Sequence, residues 1–399
     1  MTPFLGLLLI LIITFIGARF FSHSAVLKSP LFSGLVVSGI PYILVGVLLG
    51  PRFFNFLNTE IIDSLRPLIS LALGWIGLLF GIQLRWRNLQ RFPRNYLLFT
   101  SVQSLITFVI IFITMTAVFF ILIPSPFHNL WEAVFILAAL GSVTAPLTIS
   151  RILIDKRVKG RLSHLIQFIA SLDSFWGITI AGLAMAVFHQ PALRWFTSFW
   201  EWILLTIAIS IFLGVIFRYL IQLRFLSDEV FLLVFGLLIF ASGIGFYLRL
   251  SPIFIAMIIG ITLAQFPRES EKVMRVLHQA EKPIYLFLLI FAGSLWNYRF
   301  WEEIILILFF IASRFAGKQI GGLFSARYIN CAFPIPSDIG KATLSFGGVS
   351  LAIAFNFQLF YGGATGDFLM SATILAIFIF DEYTALGTLN ILRRQGEIR

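Results

Sequence analysis

The sequence predicts an all-α membrane protein of about thirteen transmembrane helices. Three observations carry that expectation. Of 399 residues, 59% are hydrophobic, 12% are charged and 46 are Phe, a composition that no water-soluble domain of this size keeps from aggregating. Apolar runs of roughly 18 to 25 residues recur along the chain, each able to cross about 30 Å of hydrocarbon at about 1.5 Å per helical residue. The basic residues behind a formal charge of +11 sit in alternate segments between those runs. Charge placed this way reports topology, so lipid and not nucleic acid is the expected surrounding.

Taken in order, the first span, Phe4 to Ala18, has no basic leader and no small-residue cleavage site, and reads as a retained helix rather than a signal peptide. Ser33 to Gly50 and Leu65 to Leu84 follow, and the basic stretch Arg85 to Arg94 closes the third span. Tyr96 to Ile123 and Leu130 to Ile152 come next, with a second basic stretch from Arg151 to Arg161. Leu162 to Val187, Trp200 to Phe217 and Val230 to Tyr247 are the sixth, seventh and eighth spans, and Arg218 and Arg224 separate the last two. Pro252 to Phe266 and Pro283 to Trp296 flank the charged stretch Arg268 to Lys282, which lies on the basic side between them. Trp301 to Phe324, Ala342 to Phe357 and Leu369 to Leu389 complete the set. A single cysteine, Cys331, excludes a disulfide framework or a cysteine metal site.

Of the 29 Lys and Arg residues, 22 fall on one side of this arrangement, including the tail residues Arg393, Arg394 and Arg399. Only Arg52, Arg66, Arg194, Arg249 and Arg299 fall opposite, while Arg314 and Lys318 lie inside a span. The positive-inside rule then places the N-terminus outside and the C-terminus in the cytoplasm, in an integral plasma membrane such as the bacterial inner membrane.

The second and third spans echo the ninth and tenth. Pro41 to Gly50 resembles Pro252 to Gly260, and Leu79 to Leu84 aligns with Ile290 to Leu295, both at a shift of 211 residues. A shift of seven spans, an odd number, inverts the second copy in the membrane. Inverted repeats are common in secondary transporters, with the site at the midplane between discontinuous helices. One transmembrane domain over 1–399 is expected, with repeats at about 33–187 and 252–389 and no C-terminal cytosolic domain.

Ionisable groups at membrane depth are costly, and each is a functional candidate. Asp173 lies near the centre of the sixth span, where burial and a nearby cation would act on it in opposite directions. In the fifth span Gly141 and Pro146 bracket Ser142 and Thr144; in the twelfth, Gly347 and Gly348 make a second weak point. A Pro frees backbone carbonyls, and irregular backbone at this depth is tolerated where it lines a cavity or is buried in protein. The two weak points are also seven spans apart. Arg314 and Lys318, four residues apart, project from one face of the eleventh span, and either could meet a carboxylate. Asp381 and Glu382, in the repeat mate of the Asp173 span, are secondary acidic candidates.

With these residues in place the chain resembles the monovalent cation/proton antiporter superfamily, the sodium/hydrogen exchangers that share the sodium/proton antiporter fold. Pro41 to Pro51 resembles the family's Gly-rich opening helix, Leu79 to Leu84 its Phe-x-x-Gly-Leu segment, and Thr144, Ala145 and Pro146 its unwound helix. Asp173 falls where the family's transport aspartate does, Lys318 to Gly321 is similar to its Lys-x-x-Gly, and Gly347 to Val349 resembles its second break. The resemblance covers nearly the whole chain. It implies two crossed discontinuous helices, a core of spans four to six and eleven to thirteen beside a dimerising scaffold, and a homodimer. Many members carry Asn or Asp just before the transport aspartate, where this chain has Leu172, which makes one-for-one exchange the natural expectation.

The function expected is secondary active exchange of a monovalent cation, Na+ or K+, for protons by alternating access, with no enzymatic activity and no cofactor. Asp173 would bind the cation or the proton, with Thr144, Ser142 and Ser174 as oxygen ligands and Lys318 or Arg314 as the basic partner. Two other readings remain, a sodium-coupled symporter of an organic anion and a non-transporting membrane sensor.

Overall fold

A computed structural model describes residues 39–86, 90, 92–122, 130–156, 158, 160–188, 198–222, 227–296, 301–331 and 333–398, with 6, 8, 10 and 12–14 near the N-terminus. Most of the first expected span and the start of the second lie outside the described residues.

Among the described residues all regular structure is helical. The α-helices are α1 (Ile40–Leu49), α2 (Thr59–Ser64), α3 (Arg66–Gln83), α4 (Arg94–Leu122), α5 (Leu130–Ser142), α6 (Pro146–Asp155) and α7 (Arg161–Val187). They continue with α8 (Phe199–Gln222), α9 (Ser227–Leu248), α10 (Pro252–Ala264), α11 (Pro267–Leu295), α12 (Trp301–Tyr328), α13 (Gly347–Tyr361) and α14 (Gly363–Arg394), and a 3-10 turn, η1, covers Ile339–Thr343 before α13. Eight helical segments are long and apolar enough to cross a membrane, and α1, α10 and α13 are shorter apolar helices. Pro stands in the first turn of α1, α3, α6, α10 and α11, where its missing N–H is not needed and its fixed φ favours helix entry.

The helices sort into two groups. In one, α3 packs on α10 and α1 on α11, with α8 and α9 covering α10 and α3. The other is built from α4 against α12, α5 against α7, and α14 against α13 and η1. The first group contains two backbone-to-backbone crossings at glycine. A Cβ on Gly46 would stand 1.9 Å from the Ile290 carbonyl oxygen and 2.9 Å from the Gly293 Cα. One on Gly81 would stand 2.1 Å from the Met257 carbonyl oxygen and 2.9 Å from the Gly260 Cα. Lipid tails are as apolar as Leu, so helix association in the bilayer depends on close approach of this kind. The two crossings exchange α1 for α10 and α11 for α3, as an inverted repeat requires.

Most expected spans are recovered to within a few residues, with one notable difference. The span expected to begin at Pro283 begins earlier, and the stretch Arg268 to Lys282 before it is helical: α11 runs unbroken from Pro267 through Pro283. Hydropathy marks where a helix enters lipid and not where it begins. Pro283 removes a single hydrogen bond within a long helix instead of starting one. The α11 start is tied to α3 by Arg85, which donates to the Pro267 carbonyl at 3.1 Å.

Candidate ion-binding site

The fifth span is two helices. The α5 helix ends at Ser142, α6 begins at Pro146, and Ala145 between them is extended, with φ −75° and ψ 111°. The twelfth is likewise interrupted between η1, ending at Thr343, and α13, beginning at Gly347. Gly347 has φ 35° and no room for a side chain, because a Cβ there would lie 2.5 Å from the Ala145 Cβ. The two interruptions bond to one another. The Ala145 amide donates to the Ser345 carbonyl at 3.1 Å, and the Ser345 hydroxyl donates to the Ala145 carbonyl at 3.3 Å. Each break thereby satisfies backbone groups that lipid could not.

The carbonyl ends of the broken helices carry partial negative charge, and two cations from α12 meet it. Arg314, fully buried, donates from Nε to the Gly141 carbonyl at 2.9 Å, from Nη1 to Leu344 at 2.6 Å, and from Nη2 to Val143 at 2.8 Å and Ser345 at 3.2 Å. Its guanidinium lies over the rings of Phe346 and Phe380, 4.4 and 4.6 Å from their centroids. One planar donor fork thus joins both breaks, a geometry that a point charge cannot reproduce. One turn further on, Lys318 donates to the Ser142 carbonyl at 2.6 Å and the Thr144 hydroxyl at 2.9 Å, and forms an ion pair with Asp173 at 2.6 Å. Asp173 and Lys318 are both wholly buried. The Thr144 hydroxyl lies 2.6 Å from the same Asp173 oxygen, and the Ser104 hydroxyl of α4 donates to the other.

The sequence leaves open which base meets the acid; in the structure it is Lys318. Thr144 reaches the carboxylate. The hydroxyls of Ser142 and Ser174 turn to backbone carbonyls instead, Ser142 to Ala139 at 2.7 Å and Ser174 to Ala170 at 3.0 Å and Thr144 at 3.1 Å. A hydroxyl within an unbroken turn finds its own helix's carbonyl first. Leu172 packs into a hydrophobic cluster with Ile169 and Phe168 and offers no oxygen. Gly141 has Ile111 and Phe310 against it, and Gly348 lies under the ring of Tyr285. Asp381 accepts the Phe346 amide at 2.9 Å, at the start of α13. Glu382, beside it, is half-buried.

Sequence reading passed over α4. Gln103, Ser104 and Thr107 are buried there, Ser104 on Asp173 and Gln103 donating to the Thr343 hydroxyl at 2.8 Å. Their signal was three polar residues within five positions of an apolar run, a stripe that uncharged hydroxyls display only weakly in composition.

A family profile described as "Sodium/hydrogen exchanger, transmembrane" matches residues 10–381. Among solved structures the chain is similar to the sodium proton antiporter MjNhaP1 from Methanocaldococcus jannaschii at pH 8, with 14% identity over 98% of this chain and 100% of that one, at a TM-score of 0.69. An electron-microscopy structure of the same antiporter is similar over 99% of this chain and 97% of that one, with 16% identity and a TM-score of 0.60. At these identities the likeness concerns the fold. Among curated proteins none matches the sequence.

Proposed function

The chain belongs to the sodium/hydrogen exchanger family, integral membrane transporters and not enzymes, and from that premise we propose that it exchanges Na+ or K+ for protons by alternating access, with Asp173 as the group for which cation and proton compete. The observation that carries this reading is the buried Lys318–Asp173 pair at the meeting point of two broken helices. An ion pair taken out of water is stable only with both partners in place. A cation arriving at Asp173 must displace the Lys318 ammonium, and a proton must neutralise the carboxylate. Either event removes the attraction that ties α12 to α7, so occupancy and conformation are linked.

Thr144 and Ser104 are the oxygens nearest the carboxylate and the first candidates for cation ligands. Arg314 holds the two breaks as one body, so that the core group crosses as a unit against the scaffold of α1, α3 and α8 to α11. The basic side is the cytoplasmic one in this reading, with the N-terminus outside, in a bacterial inner membrane. Two copies are taken to pair through the scaffold, and the repeats to run from about 33 to 187 and from 252 to 389.

The test is proton flux in proteoliposomes against Na+ and K+ gradients. Wild type should show cation-dependent flux and Asp173→Asn none; flux that is unchanged in Asp173→Asn would overturn the assignment. Uptake of an organic solute, or binding without flux, would point instead to a symporter or a sensor.

A further inference from the structure

Asp381 is a buried acid that exchange at Asp173 leaves unused. It is 4% exposed and lies on α14, the counterpart in the second half of the helix that carries Asp173. Its Oδ1 accepts the Phe346 amide and the Gly347 amide also faces the carboxylate, while among the described residues its buried Oδ2 has no donor in good hydrogen-bond geometry. A buried carboxylate with one oxygen unmatched is under-solvated as an anion, whereas the positive end of α13 favours that anion. The two tendencies oppose one another, which suits a group that gains and loses a proton.

A cavity lies at the same end of α13. Tyr285 of α11 lies against the first turn of α13, so closely that a Cβ on Gly348 would fall 2.2 Å from its Cε2. Its hydroxyl stands in the field of both Asp381 and Arg151. Beside it a cavity of about 40 Å³, lined by Pro146, Thr148, Arg151, Glu281 and Gly348, has room for water between the two helix groups. The titratable groups that face Asp381 are Arg314 from α12, Glu382 from its own helix and the neutral phenol of Tyr285 from α11, with the Phe346 and Gly347 amides at the α13 start. Lys341 of η1 lies beside Gly387, further along α14.

We propose that Asp381 is a second proton-binding site, loaded from the Tyr285 cavity, and that it makes the exchange two protons for one cation. The proposal rests on exchange at Asp173. In loading, a hydronium in the cavity passes a proton to the Asp381 carboxylate and leaves as water; unloading is the reverse. With Asp173, Asp381, Lys318 and Arg314 all ionised, the core holds two charges of each sign. A cation at Asp173 takes it to +1, and protons on both acids take it to +2. One elementary charge therefore moves per cycle. The second acid that is missing beside Asp173, where Leu172 stands, is supplied by the other half of the molecule.

The reversal potential of exchange in proteoliposomes, at fixed cation and pH gradients, gives the coupling ratio. A defect that only slows turnover does not move it. Wild type should give two protons per cation and Asp381→Asn one, since the Asn oxygen still accepts the Phe346 amide; Tyr285→Phe should slow turnover and keep the ratio at two. A wild-type ratio of one, or an unchanged ratio in Asp381→Asn, overturns the proposal and leaves exchange at Asp173 standing. Absence of cation-coupled flux in wild type overturns both. Should Asp381→Asn fold but not transport, infrared titration of the purified protein decides. A pH-dependent carboxyl band present in wild type and missing from the variant supports the second site, and identical titrations refute it.

Discussion

Lys318→Met removes a charge while keeping most of the side-chain volume, and so isolates the electrostatic part of the site. Lys318 Nζ lies 2.6 Å from Asp173 Oδ2 with both side chains at 0% exposure, and it also donates to the Ser142 carbonyl and the Thr144 hydroxyl. Without it a buried carboxylate is left with two hydroxyl donors, and breaking a buried pair in this way costs about 3–5 kcal/mol. Asp173→Asn leaves the ammonium, which keeps the Ser142 carbonyl, so its cost should fall near the lower end of the same range of about 3–5 kcal/mol. The double variant removes both charges and should cost well under the sum, giving a coupling energy of about 2–3 kcal/mol. Unfolding by dodecyl sulfate in mixed micelles, followed by tryptophan fluorescence, measures all three. Losses that add to within about 0.5 kcal/mol would refute the pair as the energetic link between α7 and α12.

Three further outcomes follow from the packing. Arg314→Lys should keep the Lys318–Asp173 pair yet lower proton flux by about tenfold or more, because an ammonium cannot bridge carbonyls of both breaks; flux equal to wild type would remove Arg314 from the mechanism. Glu397 accepts the Leu162 and Ser163 amides at 2.7 and 2.9 Å, capping the helix that carries Asp173. Glu397→Ala should lose about 0.5–2 kcal/mol and speed hydrogen exchange at those two amides. A Cβ on Gly293 would lie 1.9 Å from the Ile43 carbonyl oxygen, so Gly293→Ala should cost about 1–3 kcal/mol in thermal unfolding. Gly236→Ala, with nothing within 4 Å of the new Cβ, should stay within about 0.5 kcal/mol of wild type.

The sequence by itself determined the lipid environment, the order of the spans among the described residues, the inverted repeat, the two breaks and the buried place of Asp173. These are one-dimensional signals. Hydropathy is a property of a window, Gly and Pro act on their own backbone, and a lone acid in an apolar run is conspicuous wherever the chain folds. Only the tertiary structure decided between Arg314 and Lys318, because both project from one face of α12 and the choice depends on which break each meets across the bundle. The same holds for Ser104, an ordinary hydroxyl until α4 lies against α7, and for Ser142 and Ser174, whose hydroxyls are taken by backbone carbonyls. The helical stretch from Arg268 to Lys282 escaped for a different reason: hydropathy senses the solvent around a segment, whereas a helix is defined by hydrogen bonds that continue past the edge of the lipid.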